Sequence, residues 1–312
     1  MSCIGIRAEG CRLMSRPNEL IHHLDMLYEI GYRAIEIVPE SFDLIVCGER
    51  VKEHVDRLRE ILYRYPFSCT LHAPGKLNLW NVEYGSLHEK VFETSLALCR
   101  ELGATVLTCH TGSPSDNAGL PLRDRPGVDE VFSKERIKRE CDIIRRGSEK
   151  YEEVTIALEN QRPYAGFSPW TYGERLTDLA QQVRTINRSN VGITLDTGHL
   201  NLSAFFYKED PLKEISLIED LIVHTHLHDN HGMPNFPGDR DKSNHLPFGL
   251  GDAHRIPGRG NFPFAAFFQF LKGYKGIWMV ELTDRYMCKD DIVESFAAVS
   301  TYCKPDKGKN DD

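Results

Sequence analysis

The stretch VGITLDTGH, residues 191–199, starts as an apolar run and ends in polar groups. A short run rich in Val, Ile, Thr and Leu that closes on Asp, Gly or His is typical of a strand buried on both faces. Similar runs recur along the whole chain, at residues 3–9, 34–39, 68–74, 105–112, 155–160, 222–230 and 276–283. The sequence therefore predicts eight buried strands.

Between these runs lie segments with apolar residues at helical spacing. Residues 16–30 place an apolar side chain on each turn, and Gly31 follows as a stop signal. The other helical patterns are at residues 86–102, 133–150, 172–187, 263–273 and 290–303. Strands that alternate with helices indicate a parallel α/β domain, and eight is the number that closes a (β/α)8 TIM barrel. We predict a single such domain over residues 1–312. A doubly wound open sheet is the alternative, but no G-x-G-x-x-G follows the first strand.

Two long connections interrupt the pattern, residues 112–132 after the fourth strand and residues 229–262 after the seventh. Long connections in compact domains are commonly functional. Both follow the carboxyl end of a strand, and barrel enzymes have their active sites on that face. We therefore expect these loops to lie over the site.

The composition sets limits on the setting of the protein. The 312 residues include nine cysteines without a Cys-x-x-Cys pair, a pattern that favours reduced thiols in a cytoplasmic protein. No secretory signal or apolar run of membrane-spanning length is evident, so we expect no membrane partner. A formal net charge of −8 gives no support to strong nucleic-acid binding.

Side chains that bind metals close six consecutive predicted strands. They are His72, His110, Glu159, Asp196 with His199, His226 and Glu281. A barrel gathers strand ends at one rim, where several carboxylates would repel one another without cations. Histidine and carboxylate ligands without cysteine suit Zn²⁺, Mn²⁺ or Fe²⁺. The number of ligands exceeds the need of one ion and indicates two or three ions that share a carboxylate.

The seventh strand carries three histidines on one face, because residues two apart in a strand point the same way. His226 is the first choice as a ligand and His228 the second. His224 lies deeper and is predicted to be a buried polar residue or the partner of a ligand.

These strand ends resemble the endonuclease IV and xylose isomerase-like TIM-barrel superfamily, the AP endonuclease family 2. The most specific pieces are LDTGH (195–199), HLHDN (226–230) and HTGS (110–113). The sugar isomerases and epimerases of this superfamily hold one ion with a Glu, Asp, His, Glu set. Its endonuclease IV-like phosphodiesterases add five more ligands. The resemblance places the first set at Glu159, Asp196, His226 and Glu281, and the five additions at His72, His110, His199, Asp252 and His254.

The resemblance implies a trinuclear zinc centre. His72, His110 and Glu159 would hold the first ion, and Glu159 would bridge to a second ion held by Asp196, His226 and Glu281. His199, Asp252 and His254 would hold the third. Such a centre suits hydrolysis of a phosphodiester, with Glu159 and Glu281 as catalytic groups. The pair Asp252 and His254, in DAHRIPGRGNF (252–262), favours this chemistry over isomerisation.

The sequence departs from the DNA-repair members of the superfamily. In HAPGKLNLWN (72–81), Gly75 and Lys76 stand where those enzymes insert side chains into the duplex. Duplex DNA is therefore not the expected partner. We expect a small-molecule phosphodiester, with the nucleotide loop of adenosylcobamide as the candidate that the resemblance suggests. His228, Arg255 and Arg259 are predicted to contact it.

Two other functions stay open from the sequence. A divalent-metal-dependent isomerase or epimerase of a sugar or sugar phosphate would need one ion, and a barrel that senses a metal or sugar phosphate would need no catalysis. No protein partner is predicted.

Overall fold

The computed structural model describes residues 3–8, 17–114, 133–237 and 245–303. Most of the long connection after the fourth predicted strand, residues 115–132, lies outside these ranges, as do residues 238–244 of the connection after the seventh. The prediction that these two segments cover the site therefore has no structural description here.

Eight parallel strands close into a barrel. In chain order they are β1 Cys3–Ala8, β2 Ala34–Ile37, β5 Ser68–His72, β6 Ala104–His110, β7 Thr155–Glu159, β8 Val191–Asp196, β9 Ile222–Leu227 and β10 Ile277–Val280. Each strand pairs with the next in this order, and β1 pairs with β10 to complete the ring. A small antiparallel hairpin, β3 Ile45–Val46 and β4 Glu49–Arg50, stands apart from it. The predicted (β/α)8 fold is confirmed.

Helices cover the outside of the barrel. They are α1 Pro17–Ile30, α2 Lys52–Leu62, α3 Gly85–Leu102, α4 Lys134–Lys150, α5 Leu176–Ile186, α6 Thr197–Tyr207, α7 Pro211–Ser216, α8 Phe264–Phe270 and α9 Lys289–Cys303. Gly103 ends α3 with φ of 69°, a left-handed value that glycine adopts without strain. Among the described helices, none has the length and apolarity that a bilayer crossing requires.

The sixth predicted strand is shorter than its sequence pattern indicates. The run 191–199 was expected to be one strand, but β8 ends at Asp196 and α6 begins at Thr197. The carboxylate of Asp196 accepts a hydrogen bond from the backbone nitrogen of His199, 2.7 Å away, and so caps the first turn of α6. The residues TGH therefore form a helical turn at the rim.

The barrel has an apolar outer face and a partly polar interior. Leu and Ile side chains of the strands are buried against the helices, among them Leu71, Leu107 and Ile193. Inside, Thr108 of β6 and Thr194 of β8 are fully buried, and their hydroxyl oxygens are 2.9 Å apart across the strand between them. Polar groups thus line the floor beneath the rim.

Candidate metal centre

The strand register delivers the predicted ligands to one rim. His110 is paired with Glu159, and Asp196 is paired with His226, so these ends are level with each other. Glu281 directly follows β10, and its backbone nitrogen donates to the carbonyl oxygen of Leu227. The parallel topology therefore brings together side chains that are far apart in the chain.

Four buried ligands converge at the centre of the rim: Glu159, Asp196, His226 and Glu281, whose ligand atoms all lie within 4.8 Å of one another. His226 Nδ1 is 3.1 Å from Glu159 Oε1, 2.9 Å from Glu281 Oε2 and 3.9 Å from Asp196 Oδ2. One ring nitrogen carries at most one proton, so it cannot neutralise the negative charge of three carboxylates. The donor set therefore fits a divalent cation. We call these four residues the rim group.

Two carboxylates of the rim group, Glu159 and Glu281, have lowered pKa values, which favour the ionised form that a metal ligand needs. Burial raises the pKa of Glu281, but the charges of Arg7, His226 and His254 outweigh it, and the net pKa lies well below the ordinary value. Burial likewise raises the pKa of Glu159. Its hydrogen bonds with neighbouring histidines reverse that effect and bring its pKa well below normal.

A second group of ligands shares Glu159. Its Oε2 atom is 3.4 Å from His72 Nε2 and 3.1 Å from His110 Nε2. His72 Nδ1 lies 2.6 Å from the carbonyl oxygen of Ala73, which can only accept a hydrogen bond. Nδ1–H of His72 thus donates to that carbonyl oxygen, which leaves Nε2 as the ring nitrogen that could bind a metal.

A third group stands beside the rim group and consists of His199, His228, Asp252 and His254. Asp252 Oδ2 is 2.7 Å from His254 Nε2 and 3.6 Å from His199 Nε2. His228 adds Nδ1 at 3.7 Å from Asp252 Oδ1, and its ring stacks on that of His254 at 3.9 Å between centroids. The sequence predicted three of these residues as a ligand set; the structure adds His228, which the sequence offers both as the second-choice ligand of the seventh strand and as a substrate contact.

The loop that carries Asp252 and His254 is pinned to β9. Asp229 and Arg255 exchange two backbone hydrogen bonds of 2.9 Å. His254 adopts φ of 41°, a left-handed conformation that is uncommon for a side chain of this size. The loop thus holds a strained histidine on the barrel mouth.

A cation already lies against the third group. Arg162 Nη1 is 3.1 Å from both Asp252 Oδ2 and His199 Nε2. Burial raises the pKa of Asp252, yet the charges of His254 and Arg162 hold it well below the ordinary value. An ion in this group would share Asp252 with a guanidinium.

The two other predicted substrate contacts have partners of their own. Arg255 Nη1 lies 2.7 Å from His231 Nε2. Arg259 forms an ion pair with Glu294 of α9, and both side chains are half-exposed. The structure therefore gives no support to Arg259 as a substrate contact, because its charge is engaged on the helical layer.

Two residues of the site were not singled out from the sequence. Arg7 of β1 contacts the carboxylate of Glu281, and Glu36 of β2 contacts His226. The available signal was a charged residue inside an otherwise apolar strand, in CIGIRAE (3–9) and AIEIVP (34–39). Such a residue is buried only when it has a partner.

Curated relatives match most of the chain at modest identity. The chain is 24% identical over 281 residues to the uncharacterised protein MJ1311 of Methanocaldococcus jannaschii, which covers 86% of this chain and 81% of that protein. It is also 24% identical to the uncharacterised protein ML2432 of Mycobacterium leprae, over 78% of this chain and 76% of the relative.

Solved structures with the same fold include several named as epimerases. A D-tagatose 3-epimerase-like protein superposes with a TM-score of 0.68 at 22% identity and covers 96% of both chains. The 3-keto-D-glucoside 4-epimerase YcjR of E. coli gives 0.68 at 17% identity, over 97% of this chain and all of that one. An L-ribulose 3-epimerase gives 0.66 at 16% identity, over 97% and 95%.

These relatives correct the predicted activity. The prediction of a phosphodiester hydrolase, including the adenosylcobamide candidate, is wrong, since the structures that share the fold over nearly the whole chain are named as sugar epimerases. The misleading signal was the pair Asp252 and His254, because a larger ligand set does not by itself select hydrolysis.

The family is identified over nearly the whole barrel. Residues 24–301, from within α1 to within α9, match the family of xylose isomerase-like TIM barrels. The described structure agrees with this match in its eight parallel strands and in the ligands at their carboxyl ends. The chain belongs to the xylose isomerase-like TIM-barrel family.

Proposed function

We propose that the protein is a divalent-metal-dependent isomerase or epimerase that acts on a sugar or a sugar derivative. The observation that carries this proposal is the rim group, four buried ligands at the carboxyl ends of β7, β8, β9 and β10. Further support comes from the solved relatives named as epimerases of tagatose, ribulose and 3-keto-glucoside type. A small polyhydroxylated molecule is the proposed partner.

A divalent ion in the rim group would polarise a carbonyl or hydroxyl oxygen of the substrate and make the neighbouring C–H bond more acidic. The mixture of one histidine and three carboxylates suits Mn²⁺, Zn²⁺ or Fe²⁺. We also propose that the two flanking groups hold further ions, up to three in all, with Glu159 shared between two of them. Zinc is the first candidate for these histidine-rich flanking groups.

The chain's own residues would move the proton. Glu159 ends β7 and Glu281 follows β10, so the two carboxylates reach the centre of the rim from different sides of the barrel. Inversion at a carbon needs a base on one face of the substrate and an acid on the other. Arg7 favours the ionised form of Glu281, which is therefore the proposed base. Glu159 is the proposed acid, and it would take up a proton from solvent before it delivers that proton to the other face of the carbon.

The test begins with protein that has been stripped of metal by a chelator and then loaded with Mn²⁺, Zn²⁺ or Fe²⁺. A panel of ketopentoses, ketohexoses, their phosphates and 3-keto-glycosides is incubated with it in D₂O and followed by NMR. We expect a new epimer or isomer from one member of the panel. Deuterium at the carbon beside the carbonyl would show that its proton exchanges with solvent during the reaction, and the variants below test whether Glu159 and Glu281 transfer it.

Three variants make the test specific. Glu159→Gln and Glu281→Gln are expected to lose activity by at least about 100-fold, as general acid–base groups do. Glu294→Gln is the matched control, because it changes a half-exposed glutamate on α9 away from the rim. The proposal fails if metal-loaded protein converts no sugar of the panel, or if both site variants keep the rate of the control.

A further inference from the structure

The imidazole of His226 has a different environment at each of its two nitrogens. Nδ1 faces the carboxylates of the rim group, at 2.9 Å from Glu281 and 3.1 Å from Glu159. Nε2 points down into the barrel and lies 3.1 Å from the carboxylate of Glu36. The ring is fully buried, and both contacts are within direct hydrogen-bonding distance.

Glu36 is a carboxylate in a place where a charge is costly. It is fully buried in the middle of β2, beneath the rim. Besides His226, it is 3.3 Å from the hydroxyl of Thr70 and 3.4 Å from His224 Nε2. A buried carboxylate without strong hydrogen bonds would destabilise the fold by several kcal/mol, roughly. Of these three contacts, the one with His226 is the shortest, and it explains why a carboxylate is tolerated at this buried position.

From this arrangement we infer that Glu36 is a positioning residue that holds His226 in its metal-binding form. The inference rests on the proposed metal-dependent function. The carboxylate accepts the proton of Nε2, which leaves the lone pair of Nδ1 directed at the rim group. It also fixes the rotation of the ring, since Nε2 and Nδ1 are held from opposite sides.

A second ion in the floor is the competing interpretation. Glu36, His224 and His226 also place ligand atoms within 4.8 Å of one another. An ion there would need the lone pair of His226 Nε2, while the rim group needs that of Nδ1. The imidazole would then have to lose both of its protons, whereas one hydrogen bond to Glu36 needs no such loss. The hydrogen-bonded interpretation is therefore favoured.

The test compares Mn²⁺ affinity, measured by competition with a chelator, in the wild-type chain and three variants. Glu36→Ala is expected to weaken binding by about 10- to 100-fold, the usual effect of removing such a partner. Glu36→Gln keeps the shape and an acceptor oxygen, so its loss is expected at the low end of that range. Thr70→Val is the control, because it removes a contact of Glu36 without touching His226.

A second readout follows the ring itself. In Zn²⁺-loaded protein with ¹⁵N-labelled histidine, the wild type is expected to show His226 protonated at Nε2, with a strongly shifted N–H proton. That signal should be lost in Glu36→Ala and moved in Glu36→Gln. A purely structural role would lower the melting temperature and leave the affinity and the tautomer of the folded protein unchanged.

The outcomes separate the inference from the proposed function. Unchanged Mn²⁺ affinity in both Glu36 variants would overturn the inference alone. Loss of a whole equivalent of bound metal would also overturn it, because it would assign Glu36, His224 and His226 to a second ion. Tight Mn²⁺ binding without any sugar conversion would defeat the proposed function and leave the inference standing. A wild-type chain that bound no divalent ion would defeat both.

Discussion

The carboxylate of Asp229 accepts a hydrogen bond from the backbone nitrogen of Gly260, 2.7 Å away and 31 residues further along the chain. The same side chain accepts from the backbone nitrogens of Asn230, Gly258 and Phe262, at 2.9, 3.0 and 3.2 Å. One buried aspartate thus accepts hydrogen bonds from three backbone N–H groups of the turn that follows Asp252 and His254. The loop beside the metal centre is organised from the end of β9.

Asp229→Asn is expected to destabilise the fold by roughly 3 kcal/mol. Its amide NH₂ would face backbone N–H groups, and a buried donor that loses its acceptor is expensive. Chemical denaturation checks this, with Asp210→Asn as the matched control. Asp210 caps α7 through an exposed bond to Leu212, so its replacement should cost about 1 kcal/mol or less. Equal losses in the two variants would contradict the assigned role of Asp229.

Gly260→Ala is expected to destabilise the protein by about 1–3 kcal/mol or more through a steric clash. A Cβ atom at this position would lie 2.1 Å from the carbonyl oxygen of Asn230 and 2.3 Å from Asp229 Oδ1. Gly273→Ala is the control, since a Cβ there meets nothing within 4 Å. The two melting temperatures should differ clearly, and a Gly260→Ala protein as stable as Gly273→Ala would rule out the close packing described.

Glu140 of α4 predicts a pH dependence of stability. Its carboxylate accepts hydrogen bonds from Trp80, Tyr172 and Gly112. Burial raises its pKa to about 7, and these bonds only partly oppose the shift. Because the folded state binds this proton more tightly than the unfolded state, Glu140 contributes a stability that falls as the pH rises from about 4.5 to 7.

Glu140→Gln removes this titration and isolates it. The variant is expected to be less stable at low pH, because its NH₂ would face the N–H of Gly112. Its deficit relative to the wild type should shrink between about pH 4.5 and 7, by up to roughly 3 kcal/mol. Urea denaturation of both proteins at several pH values measures the difference between their free energies of unfolding. The contributions of other titrating groups are common to both proteins and cancel in this difference. A constant difference across that range would refute the shifted pKa.

The proposed number of ions can be counted directly. His254→Ala removes a member of the third group and leaves all four ligands of the rim group in place, although His254 Nδ1 lies 3.6 Å from Glu281 Oε1. We therefore expect one bound ion fewer per chain by elemental analysis of Zn²⁺-loaded protein. His22→Ala, an exposed histidine of α1, is the control and should bind as many ions as the wild type. A wild-type chain that binds no more than two ions, with an unchanged count in His254→Ala, would show that the third group holds no ion and that Arg162 is its cation.

The barrel and the position of its ligands could be predicted from the sequence because both depend on strand periodicity. Once the strands are parallel, residues that close them must meet at one rim, as Asp196 and His226 do. Glu36 escaped prediction because the chain shows that it is charged but not what it faces across the barrel. For His228 the sequence left two roles open, metal ligand and substrate contact, because it does not show what the ring faces.

The activity could not be read from the ligands. Carboxylates and histidines around divalent ions serve proton transfer as well as hydrolysis, and the added pair Asp252 and His254 does not choose between them. What selects the reaction is the molecule that fits above the rim, and the loops that shape that space carry no periodic signal.

Asp196 divides its two oxygens between different tasks: Oδ1 caps α6 through His199, and Oδ2 lies among the ligands, 3.0 Å from His228. One carboxylate therefore serves both the ligand cluster and the first turn of α6. Replacement of Asp196 by a residue that cannot cap a helix, such as His, would remove the N-cap of α6, the helix that carries His199. A substitution at Asp196 would therefore change the metal site and the fold together. Variants with a different metal preference have to be sought at Glu159, His226 and Glu281.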